Sequence, residues 1–458
     1  MPARTAALLL LTACAACLAR TAPGERSAGE PSSLIALTHV TVIDGTGRAP
    51  QADMDVVIRD GRIVEVFPSG TRPLPAGAAV TDLRGRYLIP GLIDTHVHLG
   101  TRERPEGMMA EILHEAFMGG VTTVRDMGGT ATIVAPLAAA SRPDSAATPR
   151  VYAGAIVAGP GGWFDGERGR LMAGRFAPGQ APMVRRVDEA VDVERVVRDA
   201  REAGAAGIKI YGAVPPGLIL RLSAEAHRQG LRVWSHLAVD PGRPSDVLAA
   251  GVDVVSHGDM FIAEVMPALA PGATDEERRA LRHRTFLSTP LNAPPLVSLL
   301  EQMRSRGTIL EPTLLIMLPG PDSTGQVPPR AATLFHFAAG MTREAHRRGV
   351  MIAAGTDAIG GSSPNLHAEL QLLVDSAGLS PLEAITAATR NGARALGADS
   401  LGTIEPGKVA DLVVLAADPT HDVANTLTVV SILRAGRMHT RTRPVLVPPQ
   451  ARAPRARP

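Results

Sequence analysis

The sequence has little cysteine and few aromatic residues. Its only cysteines are Cys14 and Cys17, so the chain beyond them has no thiol for a disulfide or a cysteine-based metal site. Aromatic residues make up 3% of the chain, which argues against a surface that stacks nucleic-acid bases. Lys plus Arg number 47 against 45 Asp plus Glu, without a single basic stripe. We therefore expect no nucleic-acid partner.

Long hydrophobic runs are also missing, apart from a short one near the N-terminus. Arg4 precedes an apolar run over residues 6–13, which is too short to span a bilayer and indicates a secretory signal over residues 1–19. The stretch LTAC resembles a bacterial lipobox, in which Cys14 is lipidated and becomes the new N-terminus. The alternative is ordinary cleavage after a small residue such as Ala19.

This N-terminal pattern predicts an exported bacterial protein, either periplasmic or anchored in the outer membrane as a lipoprotein. The lipid on Cys14 is then its sole expected membrane contact. Residues 20–33 are expected to form a flexible tether, and residues 446–458 a disordered tail rich in Pro and Arg. Whether the protein forms a homo-oligomer stays open.

Short apolar runs recur eight times, and several follow a helix-type stretch that ends in glycine. Helix, glycine and apolar strand in repetition are typical of parallel strands linked by helices. The pattern predicts an α/β fold, a (β/α)8 TIM-type barrel over residues 89–401. An open doubly wound sheet is the alternative, disfavoured because no Gly-rich phosphate loop opens a helix. The runs are 91–99, 120–126, 150–157, 207–212, 231–237, 252–258, 307–315 and 349–357.

The two flanks of the barrel have a different pattern. Residues 53–67 alternate between apolar and polar and turn at Asp60-Gly61, a strong hairpin signal. Strand-like stretches return at residues 410–419 and 428–441. The flanks therefore predict one small β-sandwich domain, built from residues 34–88 and 402–445.

Six ligand-type side chains fall on five of the apolar runs, toward the strand ends where barrel enzymes carry their chemistry. One histidine in an apolar run is ordinarily a satisfied core residue, but this joint placement predicts a metal centre. Imidazole and carboxylate ligands without thiolates suit zinc, with manganese, iron and cobalt as alternatives. The six residues are His96, His98, Lys209, His236, His257 and Asp357.

Several motifs together resemble the amidohydrolase superfamily, in its prolidase-like and imidazolonepropionase-like branch of metal-dependent hydrolases. The resemblance covers the chain from about residue 34 to about residue 440. It implies a small-molecule hydrolase that cleaves an amide-type carbon–nitrogen bond. The motifs are GLIDTHVHLG, GVTTVRDMGG, GIKIYG, SHL, SHG, AAGTDA, EAITAATRNGARALG and LGTIEPGKVADLVVL.

By this resemblance, Lys209 matches the lysine that reacts with CO2 to form a carbamate. Burial lowers the pKa of an amine and leaves it neutral and nucleophilic, and carboxylation then converts it into an anionic metal ligand. The alternative interpretation is that Lys209 keeps its charge and extends to solvent at the end of its strand.

The resemblance also implies two divalent ions, with zinc expected. His96, His98 and Asp357 would hold one ion and His236 and His257 the other, with the lysine carbamate between them. Such a pair acidifies a shared water to hydroxide and polarises the scissile carbonyl. Asp357 would also serve as general base, passing the proton to the leaving nitrogen; its alternative role is ligation alone.

Four further residues receive weaker assignments. Tyr211 and His367 are candidate substrate-binding residues, although the first could equally pack in the barrel and the second begin a solvated helix. Asp94 is expected to hydrogen-bond near the ligands rather than bind metal. Arg125 is expected to make polar contacts at the end of its strand.

The substrate stays open among a dipeptide, an Xaa-Pro dipeptide, an N-acyl amino acid and a cyclic amide. Prolidase-like relatives usually have Gly-Gly-His after strand three and a glycine pair after the lysine, whereas this chain has Trp163 and Pro215-Pro216 there. Dipeptide specificity is therefore in question. Segments 158–185 and 258–290 are expected to be the loops that set specificity. The alternatives are a lactone or phosphotriester hydrolase with the same site, or a catalytically silent binding lipoprotein.

Overall fold

The computed structural model describes residues 33–101, 107–160, 164, 166–268, 273–322, 325–359 and 365–441. The predicted lipidation site Cys14, most of the tether, the C-terminal tail and Trp163 lie outside these ranges. In the described part of the chain, no helix combines the length and the hydropathy that a membrane span requires.

One sheet is built from both ends of the described chain, as the flanking patterns predict. Its strand order is β18-β17-β16-β5-β1-β2-β3, with β4 beside β1, and it mixes parallel and antiparallel pairs. Its strands are β1 (Leu34–Val42), β2 (Gln51–Arg59), β3 (Arg62–Pro68), β4 (Ala79–Asp82), β5 (Tyr87–Pro90), β16 (Leu412–Leu415), β17 (Val429–Arg434) and β18 (Arg437–Thr440).

The predicted hairpin of this sheet is confirmed. Strands β2 and β3 pair antiparallel, and the connection places Asp60 at φ 51° and Gly61 at φ 78°. Two successive residues with positive φ form the turn whose twist matches that of the flanking strands, and Asp-Gly is a favoured pair for it.

The second sheet is a nearly closed barrel of parallel strands. Its order is β14-β13-β12-β11-β8-β7-β6, with β15 beside β6, the short β10 paired with β8 and the short β9 paired with β10. Its strands are β6 (Leu92–His98), β7 (Val121–Asp126), β8 (Arg150–Ala158), β9 (Gln180–Ala181), β10 (Val184–Arg186), β11 (Gly207–Ile210), β12 (Arg232–His236), β13 (Val254–Ser256), β14 (Ile309–Glu311) and β15 (Ala358–Ile359).

The eighth apolar run closes this barrel without forming a full strand. It meets β14 through one bridge between Leu310 and Ile352, and the two-residue strand β15 that follows it pairs with β6. Gly355 passes so close to β6 that a Cβ there would lie 2.8 Å from the Cβ of His96. Asp357 has φ 52°. These features interrupt a regular strand, so isolated backbone hydrogen bonds join the run to β6, from Thr95 N to Ala354 O at 3.0 Å and from Asp357 N to His96 O at 2.8 Å.

Helices follow most of the barrel strands. The helix Val193–Glu202 shows the local cause: the Asp192 side chain accepts the N–H of Arg195 at its start, and its apolar stripe is buried. The described helices are Met108–Met118, Ala131–Ala140, Glu167–Ala173, Val193–Glu202, Pro216–Arg228, Pro244–Ala249, Asp275–Ser288, Pro294–Arg306, Leu314–Met317, Pro329–Arg347, Leu366–Asp375, Pro381–Ala387 and Arg390–Leu396, with 3₁₀ turns at Gly258–Glu264 and Val423–Leu427.

The two segments expected to be loops contain helices. Segment 158–185 includes Glu167–Ala173, and segment 258–290 includes the 3₁₀ turn Gly258–Glu264 and the helix Asp275–Ser288. The last of these begins with a reciprocal capping box between Thr274 and Glu277, which stabilises a helix start.

The barrel and the flanking sheet meet at a tight junction. Gly91 alone separates β5 from β6, and a Cβ on it would lie 2.1 Å from Thr122 Oγ1. From β17, the buried Arg434 donates hydrogen bonds to the carbonyl oxygens of Thr148 at 2.7 Å and Ser141 at 2.5 Å. One guanidinium thus satisfies backbone acceptors of the barrel from within the flanking sheet.

Candidate metal centre

The structure brings the four predicted histidine ligands together at the C-terminal end of the barrel. His96 and His98 lie on β6, His236 ends β12, and His257 follows β13 directly. The ring centroids are 5.3 Å apart for His96 and His98, and 5.2 Å for His96 and His257. Those of His236 and His257 are 4.9 Å apart. The imidazoles therefore form one continuous cluster.

Asp357 completes this cluster with a carboxylate. Its Oδ1 atom lies 3.3 Å from His98 Nε2 and 3.5 Å from His96 Nε2. Burial alone raises the pKa of Asp357, but the neighbouring His96 and His98 outweigh it and hold the pKa well below its usual value. The carboxylate is therefore ionised near neutral pH.

The donor set fits a metal ion. One ligand atom each from His96, His257 and Asp357 lie within 4.8 Å of one another. Asp357 Oδ1 is buried without a well-aligned hydrogen-bond donor in the described part of the chain, although two imidazole nitrogens approach it. Burial lowers the pKa of His257 to about 3 and, together with the Lys209 charge, lowers that of His236. Neutral imidazoles around an ionised carboxylate are suited to a divalent cation.

Three of the histidines have an outer partner that fixes the ring. His96 Nδ1 lies 2.7 Å from Glu311 Oε2, and His98 Nδ1 lies 3.0 Å from the carbonyl oxygen of Gly128. His257 Nδ1 lies 2.9 Å from Thr313 Oγ1, whose own proton is directed to the Pro312 carbonyl. Each Nδ1 can therefore donate outward and leave Nε2 as the ligand atom.

The backbone is strained at two of the predicted ligands. His257 has φ 79° and Asp357 has φ 52°, in the left-handed region that non-glycine residues rarely adopt. Hydrogen bonds hold both in place, from His257 N to Glu311 O at 2.9 Å and from Asp357 N to His96 O at 2.8 Å. Such a conformation costs on the order of 1–3 kcal/mol per residue and is concentrated at functional sites.

Lys209 lies inside the barrel and does not reach solvent. Its side chain is fully buried on β11, and Nζ donates to Ser256 Oγ at 3.0 Å. Burial lowers the pKa of Lys209 from 10.5 to about 7. The amine is therefore neutral in a large fraction of molecules at neutral pH, the state that reacts with CO2.

Glu311 is a site residue that the sequence reasoning missed. This fully buried carboxylate at the end of β14 accepts hydrogen bonds from His96 and from Ser256 Oγ, the latter at 3.0 Å, and forms an ion pair with Arg125. Burial raises its pKa, but Arg125 and His96 outweigh this and hold it at about 2. A carboxylate inside the apolar run 307–315 is the same kind of signal that drew attention to Lys209.

Arg125 lies deeper in the barrel than its assignment as a strand-end contact suggested. It is fully buried, its guanidinium stacks 4.5 Å from the ring of Trp234, and it donates to the Ala395 carbonyl. Asp94 makes the contacts expected of it, since it accepts hydrogen bonds from His96 N at 3.1 Å and from Thr356 Oγ1 at 2.7 Å.

A cavity of about 550 Å³ opens above the cluster. Tyr211 lines it, with its ring centroid 4.3 Å from that of His236, so the structure places this substrate-binding candidate beside the predicted ligands. The lining residues are His98, Tyr211, His236, His257, Asp259, Met260, Ile316, Met317, Leu318, Pro319, Gly320, Ala331, Leu334 and Asp357.

The structure does not bring His367 to this cavity. Its Nδ1 lies 2.9 Å from Thr426 Oγ1 and its Nε2 lies 2.8 Å from the Gly119 carbonyl, between the barrel and the flanking chain. Burial lowers its pKa to about 4. With both ring nitrogens committed to protein partners, His367 has a structural position rather than the predicted substrate-binding one.

Comparison with known proteins accords with this geometry. The model of the amidohydrolase family matches residues 87–438. The chain belongs to the amidohydrolase family. As a member, this amidohydrolase is a hydrolase that acts on carbon–nitrogen bonds, and its group of His96, His257 and Asp357 fits the metal dependence of the family.

Relatives of this amidohydrolase cover most of its length. It is 27% identical over 400 residues to the imidazolonepropionase of Cutibacterium acnes, covering 79% of this chain and 83% of that protein. A Xaa-Pro dipeptidase with bound methionine matches its fold with a TM-score of 0.70, at 23% identity over 89% of this chain and all of the other. A Bifidobacterium longum protein assigned provisionally as a prolidase matches with a TM-score of 0.65 and 28% identity, over 90% and 95% of the two chains.

Proposed function

We propose that this amidohydrolase cleaves an amide-type bond of a small molecule with two divalent ions, zinc being the expected metal. The observation that carries the proposal is the buried Asp357 Oδ1, approached by two imidazole nitrogens without an aligned hydrogen bond. The predicted substrates, a dipeptide, an N-acyl amino acid or a cyclic amide, share such a bond. The proposed ligands are His96, His98, Lys209, His236, His257 and Asp357.

The bound ions would supply Lewis acidity, which lowers the pKa of water and polarises the scissile carbonyl. The other steps are assigned to side chains of this protein. Asp357, which is ionised, takes the proton of the attacking water and transfers it to the leaving nitrogen. Tyr211 lines the cavity beside His236 and is placed to orient the substrate.

Lys209 is proposed to be carboxylated. Its neutral Nζ attacks CO2, a nitrogen–carbon bond forms, and the amine proton leaves to solvent, so that an anionic carbamate replaces the amine. Complete burial and a pKa of about 7 support this step, because an ammonium could not attack. Ser256, at 3.0 Å, aligns the nitrogen.

Metal content and turnover test the proposal together. We expect close to two divalent ions per chain, and hydrolysis of amides that is lost in Lys209→Ala while the circular dichroism spectrum stays unchanged. Lys408→Ala is the matched control, because Lys408 is half-buried, donates to the Asp399 carbonyl and does not line the cavity. Full activity of Lys209→Ala would overturn the carbamate. Turnover of lactones or phosphotriesters without amides would favour the alternative hydrolase, and metal-loaded protein without any turnover would favour the binding protein.

The lipid anchor is a separate proposal, because it rests on sequence outside the described residues. Cells fed radiolabelled palmitate should incorporate label into the full-length protein. Cys14→Ser should abolish the label, whereas Cys17→Ser should retain it. Label in the first variant would contradict lipidation at Cys14.

A further inference from the structure

One part of the cavity lining is apolar. Met260 comes from the 3₁₀ turn Gly258–Glu264, Ile316 and Met317 from the helix Leu314–Met317, and Leu334 from the helix Pro329–Arg347. Leu318 directly follows the helix Leu314–Met317. We call these five residues the apolar wall. Burying an alkyl or aryl group of a substrate against them is favourable in proportion to the area removed from water.

Hydrogen bonds fix the start of the helix Leu314–Met317, which carries two residues of the apolar wall. The carboxyl group of Glu369 accepts the backbone N–H of Leu314 at 3.0 Å and that of Leu315 at 2.7 Å. The preceding residue, Thr313, accepts the hydrogen bond of His257 Nδ1. The helix that carries Ile316 and Met317 therefore begins one residue after the partner of a predicted metal ligand, so the distance of these two wall residues from the reacting centre is set by the fold. Such a preformed surface is typical of a small-molecule site.

The described lining of the cavity has no cationic side chain that would bind an anionic substrate. Two carboxylates line it, Asp259 and Asp357, and no Lys or Arg does so among the residues that the structure describes. Arg282 lies behind Asp259 and is engaged in an ion pair with that carboxylate. Among the described lining residues, a substrate carboxylate therefore has no guanidinium or ammonium group to bind it.

We propose that the cavity accepts uncharged amides with an apolar group beside the scissile bond, and that it discriminates against substrates with a free carboxylate. The inference rests on the proposed hydrolysis and narrows it: cyclic or acyclic neutral amides are favoured, and dipeptides and N-acyl amino acids are disfavoured. Ile316 is the specificity-determining residue that is best suited to a test, because its side chain is 45% exposed and tolerates replacement.

Matched substrate pairs test the inference on both sides of the bond. On the acyl side, hexanoyl para-nitroanilide is compared with the mono-para-nitroanilide of adipic acid, in which a carboxylate replaces the terminal methyl. On the amine side, N-acetyl-isoamylamine is compared with N-acetylleucine. We expect the neutral member of each pair to have a kcat/KM higher by at least about tenfold, since the carboxylate lacks a partner. From butanoyl to octanoyl anilide, kcat/KM should rise about fourfold per methylene until the wall is filled.

Variants connect this preference to the apolar wall. Ile316→Arg should raise the kcat/KM ratio of the adipic to the hexanoyl anilide by at least about fivefold, because it places a guanidinium at the wall. Ile316→Gln introduces polarity without a positive charge. It should leave the kcat/KM ratio of the adipic to the hexanoyl anilide near that of the unmodified enzyme. Leu220→Arg is the matched control: Leu220 is 54% exposed on the helix Pro216–Arg228 and does not line the cavity.

Binding measurements separate this inference from the proposed function. Calorimetry with metal-loaded enzyme measures the affinity for each member of a pair. The ratio of the affinity for the neutral member to that for the anionic member is obtained without turnover. If no amide is hydrolysed, the proposed function fails. The ratio of the two affinities still decides whether the cavity prefers neutral or anionic molecules. If amides are hydrolysed but the carboxylate members bind and react equally well or better, the apolar-substrate inference is overturned while hydrolysis stands.

Discussion

Glu311 Oε2 lies 2.7 Å from His96 Nδ1, so a carboxylate from one barrel strand orients a predicted metal ligand on another. The same oxygen accepts the hydrogen bond of Ser256, which itself accepts one from Lys209. One buried carboxylate is thus connected to two of the six predicted ligands. Its charge is balanced by Arg125, the cation with which it forms an ion pair.

Glu311→Gln should weaken metal binding. The Glu311 carboxylate orients His96 and makes its ring more basic, and the variant removes this negative charge. Loss of such a partner typically lowers metal affinity about 10–100-fold. Chelator competition followed by measurement of bound metal checks this. Glu276→Gln, which alters an exposed carboxylate paired with Arg330, should leave the affinity unchanged.

The charge left on Arg125 complicates the single variant, because an unpaired buried guanidinium is destabilising. The double variant Arg125→Met with Glu311→Gln removes both charges, so it isolates the effect on the metal. Unchanged metal affinity in the folded double variant would show that Glu311 only balances Arg125.

Carboxylation of Lys209 should be visible by NMR with little ambiguity. Lys209 and Lys408 are the only lysines of the chain, so protein labelled with ¹³C at lysine Cε gives two lysine signals. With metal and CO2 present, we expect one signal to move and the other to stay. Lys408→Arg should remove the signal that stays. If it removes the signal that moves, the carboxylated lysine is Lys408 and the assignment to Lys209 is wrong.

Glu369 should make stability depend on pH. Burial raises the pKa of Glu369 from its usual 4.5 to about 8, although the N–H groups of Leu314 and Leu315 oppose the shift. Between these two values the folded state holds a proton that the unfolded state has released. The contribution is therefore full below about pH 4.5, declines as the pH rises and is lost by about pH 8, with a slope of up to about 1.4 kcal/mol per pH unit.

Glu369→Gln cannot titrate, so its free energy of unfolding should fall less steeply between pH 5 and 8 than that of the unmodified protein. Urea titrations of both proteins at several pH values give the difference in slope. Parallel curves would mean that Glu369 is ionised in the folded protein. The vertical offset between the two curves of unfolding free energy against pH reports separately on changes in the hydrogen bonds that Glu369 accepts from Leu314 and Leu315.

Arg434 should contribute strongly to stability. Arg434→Met leaves the carbonyl oxygens of Thr148 and Ser141 without their buried donor, and unsatisfied buried groups cost about 1–3 kcal/mol each. Arg59→Met on β2 changes an exposed arginine of the same sheet and should alter stability little. Urea denaturation followed by fluorescence compares the two, and equal stabilities would contradict the assigned contacts.

The sequence by itself determined the repeated strand and helix units, the hairpin at Asp60-Gly61 and a set of candidate metal ligands whose four histidines do meet. These follow from local periodicity, turn chemistry and residue type, which are readable within a few residues. The alternation of Lys209 with apolar neighbours was enough to single it out. Glu311 carried a similar signal within its run but was overlooked.

Only the tertiary structure decided which polar groups meet. Glu311 and His96 are 215 positions apart, and His367 pairs with Gly119 rather than with the cavity. The irregular eighth barrel segment likewise depends on the close approach of Gly355 to β6. Such partnerships depend on how distant strands and helices pack, and a buried polar group takes whichever partner that packing supplies, since leaving it unpaired is costly.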